Sequence, residues 1–160
     1  MNKIAIKKSF NRAAALYHDH SFLQQSVAKK LISLIKKVNH QFESIIDLGC
    51  GTGLVTSELA AEFKYEYFHA IDIADQALIQ ARQTLFSLPI KIFEADFEQL
   101  NASNQLFNLV FANMSLHWSR DFYTALQSAA SILKPNGCIA FSVPLPGTLT
   151  ELEKICFLNL

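Results

Sequence analysis

Short apolar blocks alternate along this chain with longer segments in which apolar residues recur every three or four positions. The blocks are typical of buried parallel strands, and the longer segments are typical of helices that pack on such a sheet. A first strand is predicted to begin at Ser44, and four more lie at 67–73, 90–93, 107–112 and 138–143. Helices are predicted between the strands, after two N-terminal helices at 3–15 and from Ser21 to Val38. The alternation predicts an α/β fold with a doubly wound parallel sheet.

Polar residues mark several predicted element ends. Ser21 is spaced from Gln24 as in a capping box. Asp75 and Asp121 are each predicted to cap the helix that follows them. The segment 135–137, Pro-Asn-Gly, is predicted to turn the chain into strand five.

The first strand leads directly into a glycine-rich turn, D-L-G-C-G-T-G at 47–53. Apolar residues at helical spacing follow, so the turn opens a helix whose free N–H groups face the bend. A strand, a glycine turn and a helix in this order form a cradle for a nucleotide cofactor. The dinucleotide fingerprint G-x-G-x-x-G is absent, because Leu54 stands where its third glycine belongs, and this disfavours an NAD-dependent oxidoreductase.

Two acids accompany this turn. Asp47 precedes it, where a negative charge opposes a pyrophosphate but suits a cationic ammonium or sulfonium group. Asp72 closes the second predicted strand, where a carboxylate accepts hydrogen bonds from both hydroxyls of a ribose. The alternative is that both acids are ordinary residues at strand ends.

The turn sequence, followed by I-D-I at 71–73, resembles the class I S-adenosylmethionine-dependent methyltransferases. The resemblance implies a Rossmann-like sheet in the order 3-2-1-4-5, S-adenosylmethionine as cofactor and S-adenosylhomocysteine as product. It assigns the methionine part of the cofactor to the glycine turn, the ribose to Asp72 and the adenine to Asp96 with Phe97. The implied cofactor-binding residues are Asp47, Gly49, Cys50, Gly51, Gly53, Asp72, Ile73, Asp96, Phe97, Asn113 and Met114.

Three further segments are similar to one branch of that family, the malonyl-acyl-carrier-protein O-methyltransferases of biotin synthesis. They are F-N-R-A-A-x-x-Y at 10–17, N-x-x-L-x-W at 113–118 and L-P-G-T-L-x-E-L at 145–152. The resemblance implies methylation of the free carboxyl of a malonyl group on acyl carrier protein. It also implies that residues 1–160 are one domain, with 1–43 as a helical cap, that lacks the C-terminal third of the family's length.

Several of the residues named above also have a simpler explanation. Asp96 with Phe97 taken alone is equally typical of a solvated loop. Tyr17 is either a lid over the cofactor or a packing residue, and His117 is either a base or a residue that shapes the pocket. No catalytic residue is assigned beyond these two candidates, because a carboxylate acceptor needs no base.

Composition restricts the classes of function. Fourteen basic and fourteen acidic residues give no net charge, which argues against nucleic-acid binding. Cys50, Cys138 and Cys156 lack metal-ligand spacing, so no metal site or disulfide framework is expected. No apolar run is long enough for a membrane span, and a cytoplasmic location is the default. The basic first eighteen residues are also typical of an organelle transit peptide.

Two kinds of partner are predicted. Basic residues of the N-terminal helices are complementary to an acidic carrier protein, although solvated helix faces explain them too. Strand five, as the open edge of the sheet, is expected to favour a homodimer. Two alternative functions stay open, which are a non-catalytic cofactor-binding module and a methyltransferase for another small carboxylate.

Overall fold

The computed structural model describes residues 2–38, 41–101, 105–145 and 147–148 of the chain. Its α-helices are α1 Lys3–Ala13, α2 Tyr17–His20, α3 Phe22–Val38, α4 Leu54–Glu62, α5 Asp75–Thr84 and α6 Phe122–Ser131. Its strands are β1 Ser44–Leu48, β2 Tyr67–Asp72, β3 Ile90–Glu94, β4 Phe107–Asn113 and β5 Leu133–Ser142. Short 3₁₀ helices lie at Ala14–Leu16, Phe97–Gln99 and Leu116–Trp118.

The five strands form one parallel sheet in the order β3-β2-β1-β4-β5. This confirms the fold and the strand order that the sequence predicted. The chain moves outward from β1 to β3 and then returns to place β4 on the other side of β1. A crevice therefore opens at the carboxyl ends of β1 and β4, where folds of this kind bind ligands.

The core lies on both faces of the sheet, and β1 is buried along its whole length. Ile45 packs on one face in a cluster with residues of α3 and α4, including Ile35 and Leu59. Ile46, its neighbour in the strand, packs on the other face with Ala125 and Ala129 of α6. A strand that is apolar on both sides is held in register by both layers, so its end is a rigid base for a site.

Asp75 does not cap α5, and that prediction was wrong. Ala74 occupies the N-cap position, and its N–H donates to Asp72 Oδ1 at 2.8 Å. Asp75 is instead the first helical residue, and its carboxylate accepts from Asn11 Nδ2 at 2.8 Å. Asp121 does cap α6, as predicted, by accepting from the Thr124 N–H.

Strand five begins five residues earlier than predicted, at Leu133. The Phe107 N–H already donates to the Ile132 carbonyl at 2.8 Å, so the chain joins β4 as soon as α6 ends. The residues of the predicted turn, 135–137, lie within β5, where the register of its pairing with β4 shifts. Asn136 has φ 62°. The last predicted helical segment, with Leu152, Ile155 and Cys156, lies outside the described residues.

None of the helices that the structure describes has the length and apolar character needed to span a bilayer.

Candidate functional site

Two adjoining cavities lie at the carboxyl ends of the central strands, beneath the N-terminal helices. The larger of the two, here called the large cavity, has about 740 Å³ of space including its opening to solvent. It is lined by Tyr17, Gly49, Gly51, Asp72, Ile73, Asp96, Phe97, Asn113 and Met114 among the predicted site residues. The second cavity, here called the polar chamber, has about 370 Å³ including its opening and is lined by Tyr17, Gln24, Asp47, Cys50, Thr52, Leu54, Val55 and Asn113, among others. Of the predicted residues, Gly53 and His117 line neither cavity.

Two glycines of the turn hold the site together by close packing. A Cβ atom added at Gly49 would lie 2.5 Å from Ser115 Cβ, and the hydroxyl of Ser115 donates to the Leu48 carbonyl at 2.6 Å. Gly49 is thus the contact that brings the end of β1 against the segment after β4. Gly53 packs instead on Leu85, the residue after α5, which explains why it does not face either cavity.

Gly51 has a different role, because no atom lies within 4 Å of where its side chain would be. Its backbone is in the left-handed region at φ 55°, and its N–H donates to Asp72 Oδ2 at 2.8 Å. Asp72 therefore ties the glycine turn to the end of β2. Asp72 Oδ1 also accepts from the Ala74 N–H at 2.8 Å, and the carboxyl keeps acceptor capacity for a ligand. Burial raises the pKa of Asp72, opposed by hydrogen bonds from the N–H groups of Ala74, Gly51 and Ile73.

Asp47 is enclosed at the end of β1, with 2% of its surface exposed. Its carboxyl oxygen Oδ2 accepts from the Thr56 hydroxyl at 2.7 Å. Burial raises the pKa of Asp47 to about 7, opposed by the Thr56 hydrogen bond and assisted by the charge of Asp72. Near neutral pH the side chain is therefore divided between its neutral and its charged form.

Tyr17 lines both cavities and faces the same acids. Burial raises the pKa of its phenol, and the charges of Asp72 and Asp47 raise it further. The hydroxyl thus stays protonated at neutral pH and is available as a hydrogen-bond donor.

Asp96 lies on the opposite wall of the large cavity, where α1 meets it. Lys3 Nζ is 2.9 Å from Asp96 Oδ1 and 2.6 Å from Glu98 Oε1. The same ammonium lies 4.9 Å from the centre of the Phe97 ring. The sequence indicated Lys3 only as part of a basic helix face, and its contact with Asp96, 93 positions away, carries no local signal.

The segment after β4 forms the floor of the large cavity. Asn113 Nδ2 donates to the Gln24 carbonyl at 3.0 Å, and Asn113 Oδ1 accepts from the Ser142 hydroxyl at 2.8 Å. Met114 has φ 52°, a left-handed conformation that is unusual for a side chain of this size. Its N–H donates to Ser142, so strand β5 fixes this strained residue at the cavity wall.

His117, a catalytic candidate from the sequence, packs beside Trp118 with ring centres 5.1 Å apart. Burial lowers the pKa of the imidazole, which is neutral at physiological pH. Since His117 lines neither cavity, the structure brings Tyr17 to the site and leaves His117 outside it.

Residues 45–137 match the family model described as a methyltransferase domain. This match covers more than half of the chain. The chain belongs to that family.

Two curated relatives of this methyltransferase domain carry malonyl-[acyl-carrier protein] O-methyltransferase in their names. A malonyl-[acyl-carrier protein] O-methyltransferase 2 of Coxiella burnetii is 38% identical over 154 residues, covering 96% of this chain and 62% of the relative. A malonyl-[acyl-carrier protein] O-methyltransferase of Salmonella typhimurium is 32% identical, covering 96% of this chain and 59% of the relative. The methyltransferase domain thus spans about 60% of the length of these two relatives.

Solved structures share the fold at lower identity. The N-methyltransferase NodS of Bradyrhizobium japonicum, in complex with S-adenosyl-L-homocysteine, is 22% identical, with a TM-score of 0.73, covering 84% of this chain and 70% of that one. A Haloferax volcanii protein described as a putative methyltransferase, in complex with the activator Trm112, is 20% identical, with a TM-score of 0.74, covering 84% of this chain and 59% of that one.

Proposed function

We propose that this methyltransferase domain binds S-adenosylmethionine and methylates the free carboxyl of a malonyl group on acyl carrier protein, as in biotin synthesis. The observation that carries the proposal is that Asp72, Asp96 and the open face of Gly51 line one cavity at the crevice of the sheet. The names of the curated relatives support the choice of acceptor.

The residues present fit the cofactor group by group. Asp72 keeps lone pairs for ribose hydroxyls, and Gly51 leaves space for a ligand against the backbone. Asp96 and the Phe97 ring offer an acceptor and an apolar surface to an adenine. The polar chamber, with Asp47 and the start of α4, adjoins this wall and suits a small charged group.

When bound, S-adenosylmethionine supplies a methyl group on a sulfonium, which reacts directly with a carboxylate oxygen. The residues of the chain then have no proton to move, so their task is to align the two reactants and exclude water. Phe10, Tyr17 and Trp118 line the large cavity and provide an apolar wall for that purpose. Because Tyr17 lines both cavities, its position supports a role as a lid residue.

The carrier-protein surface that we propose is smaller than the sequence indicated. Lys3 and Lys7 are engaged in ion pairs with acids of the same chain. Lys8 and Arg12, on the same helix, have no ion pair among the described residues and remain available to an acidic partner.

A cytoplasmic location stays a prediction.

A second candidate function is a cofactor-binding module without catalysis. It is favoured by one observation, that of the two catalytic candidates from the sequence only Tyr17 lines a cavity. In that case the site holds the cofactor and no methyl group is transferred.

Binding and transfer are tested separately on the full chain. Calorimetric titration is expected to show binding of S-adenosylhomocysteine and none of NAD. Asp72→Asn is expected to weaken binding about tenfold, because one acceptor oxygen becomes an amide donor, while Asp121→Asn at the exposed α6 cap serves as the matched control. Mass spectrometry then measures the gain of one methyl group on malonyl-acyl carrier protein, with free malonate assayed in parallel.

Each outcome decides between the candidates. Absence of S-adenosylhomocysteine binding overturns the proposed function. Binding without any methyl transfer supports the non-catalytic module, and transfer to malonate but not to the carrier-bound group supports another small carboxylate as the acceptor.

A further inference from the structure

One side chain of α1, that of Lys3, contacts three consecutive residues at the wall of the large cavity. Its ammonium lies 2.9 Å from Asp96 Oδ1, 2.6 Å from Glu98 Oε1 and 4.9 Å from the centre of the Phe97 ring. Lys3, Asp96 and Phe97 all line that cavity. The segment to which the proposed function assigns the base of the cofactor is therefore held by one cation, 93 positions away in the sequence.

The start of α1 places Lys3 over this wall. Asn2 caps the helix, because its side chain accepts from the Ile4 N–H at 3.0 Å, and the helical residues begin at Lys3. Lys3, Ile6 and Phe10 are spaced at i, i+3 and i+7, which brings them to one face of a helix, and all three line the large cavity. Ile6 is buried and anchors this face. The position of the Lys3 side chain therefore follows from the helix.

The three charged side chains of this contact are largely shielded from water. Their exposed fractions are 14% for Lys3, 15% for Asp96 and 11% for Glu98. Charges shielded in this way interact more strongly than exposed ones, so the loss of one leaves its partners without compensation. Glu98 Oε1 also accepts from the Arg120 N–H at 2.7 Å. The cation thus joins α1 to the segment after β3 and, through Glu98, to the segment between β4 and α6.

The two carboxyl oxygens of Asp96 have different surroundings. Oδ1 accepts from Lys3 Nζ at 2.9 Å and from the Glu98 N–H at 3.0 Å. Oδ2 takes part in no hydrogen bond among the described residues. Because an ionised carboxylate only accepts hydrogen bonds, this second oxygen can receive a donor from a ligand and has no proton to offer it.

We propose that Lys3 is a positioning residue for the base of the cofactor. It fixes Asp96 through Oδ1 and leaves Oδ2 to accept from an exocyclic amino group, so the cavity selects an aminopurine over the same purine without that group. In the absence of Lys3, Asp96 and Glu98 repel each other, and the acceptor is no longer held in place. This inference rests on the proposed function, because it takes the ligand to be S-adenosylmethionine or its product.

The test compares two ligands that differ only in that amino group. S-adenosylhomocysteine carries it, whereas the 6-deamino analogue has a hydrogen atom in its place. In calorimetric titration the wild type is expected to bind S-adenosylhomocysteine about tenfold more tightly than the analogue, from one hydrogen bond to a charged acceptor. Lys3→Met is expected to reduce this ratio of affinities to about twofold. The ratio is the decisive readout, because a general loosening of α1 weakens both ligands alike.

Lys7→Met is the matched control. Lys7 lies on the same helix and pairs with Asp75 and Glu94, but it does not line the large cavity. This variant is expected to keep the wild-type ratio of affinities.

Lys3→Gln gives an independent measurement if Lys3→Met does not fold. The amide keeps a hydrogen-bond donor for Asp96 but removes the charge that holds the two acids together. It is expected to lower the ratio of affinities about threefold.

Three results overturn the inference while the proposed function stands. The first is a wild type that binds both ligands equally well. The second is a Lys3 variant that keeps the wild-type ratio, which indicates a merely structural role for this residue. The third is loss of the ratio in Lys7→Met as well, which shows that any loosening of α1 is sufficient. If the wild-type protein binds neither ligand, the proposed function fails, and the inference fails with it.

Discussion

Burial changes the chemistry of Asp47 more than local sequence does. In the unfolded chain its carboxyl group titrates near 3.8, whereas in the folded protein its pKa is raised to about 7, first by burial. Between these two pH values the native state binds more protons than the unfolded state. The contribution of Asp47 to the free energy of unfolding therefore falls as pH rises through this range, and it is lost above about pH 7.

We predict that Asp47→Asn increases the free energy of unfolding at pH 8 but not at pH 4. The amide has the same shape, cannot ionise and still accepts from the Thr56 hydroxyl, so it removes only the buried charge. The gain at pH 8 is expected to reach up to about 4 kcal/mol, from a difference of about three pKa units. Urea unfolding of both proteins across this pH range measures it. A gain independent of pH would show that Asp47 is already ionised throughout.

At the scale of elements, ion pairs attach α1 to the rim of the sheet. Lys3 is paired with Asp96 and Glu98, and Lys7 is paired with Glu94 and, at 3.3 Å, with Asp75. The Lys3 pairs are more buried, with 14% of the lysine side chain exposed against 34% for Lys7. Since only one residue of α1 is buried, these pairs fix the helix over the large cavity.

We predict that Lys3→Met releases α1 from the sheet. It leaves Asp96 and Glu98 close together and largely buried without their cation, which costs roughly 3 kcal/mol, whereas Lys7→Met removes a more exposed pair worth about 1 kcal/mol or less. Hydrogen–deuterium exchange of the α1 amides is expected to speed up strongly in the Lys3 variant.

Lys8→Met is the matched control for this prediction. Lys8 is exposed and has no ion pair among the described residues. If the Lys3 and Lys8 variants exchange at the same rate, α1 is held by its apolar contacts and not by Lys3.

At the scale of the whole molecule, the outer face of α3 and strand β5 form an apolar groove. Leu34 and Val38 of α3 are 50% and 82% exposed, and Phe141 of β5 is 37% exposed beside them. Among the described strands, β5 pairs with β4 alone and so is an edge of the sheet. Edges of this kind favour pairing with a second copy.

We predict that the protein forms a homodimer through β5 as its concentration rises. Sedimentation at several concentrations is expected to show the dimer for the wild type and only the monomer for a Leu34→Glu, Val38→Glu double variant. Ile4→Glu changes an equally exposed apolar residue on α1 and controls for surface charge. A wild type that stays monomeric throughout contradicts the prediction.

The parts of the fold that were predictable from sequence depend on contiguous patterns. The glycine turn, the strand before it and the helix after it are formed by one continuous stretch of residues. The strand order followed from the family resemblance. The start of β5 was not predictable, because it depends on where β4 accepts the chain. The cap of α5 was missed because the first-turn N–H of Gln76 donates to Asn11 Oδ1 at 3.2 Å, and Asn11 lies 65 positions away in the sequence.

The acids of the site were predictable from the sequence, whereas the contributions of the N-terminal helices were not. Asp72 ends β2 and Asp96 lies two residues after β3, so their place on the rim could be inferred from strand ends alone. Gln24 and Lys3 reach the cavities through contacts that only the packed helices create, and they have no sequence signal beyond an ordinary helix. Thr52 lies inside the glycine turn that the sequence marked, but the sequence assigned no role to it.

The single tryptophan of the chain stands where the cap meets the large cavity. Its ring meets that of Phe10 edge to face, with centres 5.2 Å apart. Displacement of α1 would remove this neighbour and change the polarity around the indole. The intrinsic fluorescence of the unlabelled protein can therefore report, in a stopped-flow instrument, how fast the N-terminal helix opens and closes.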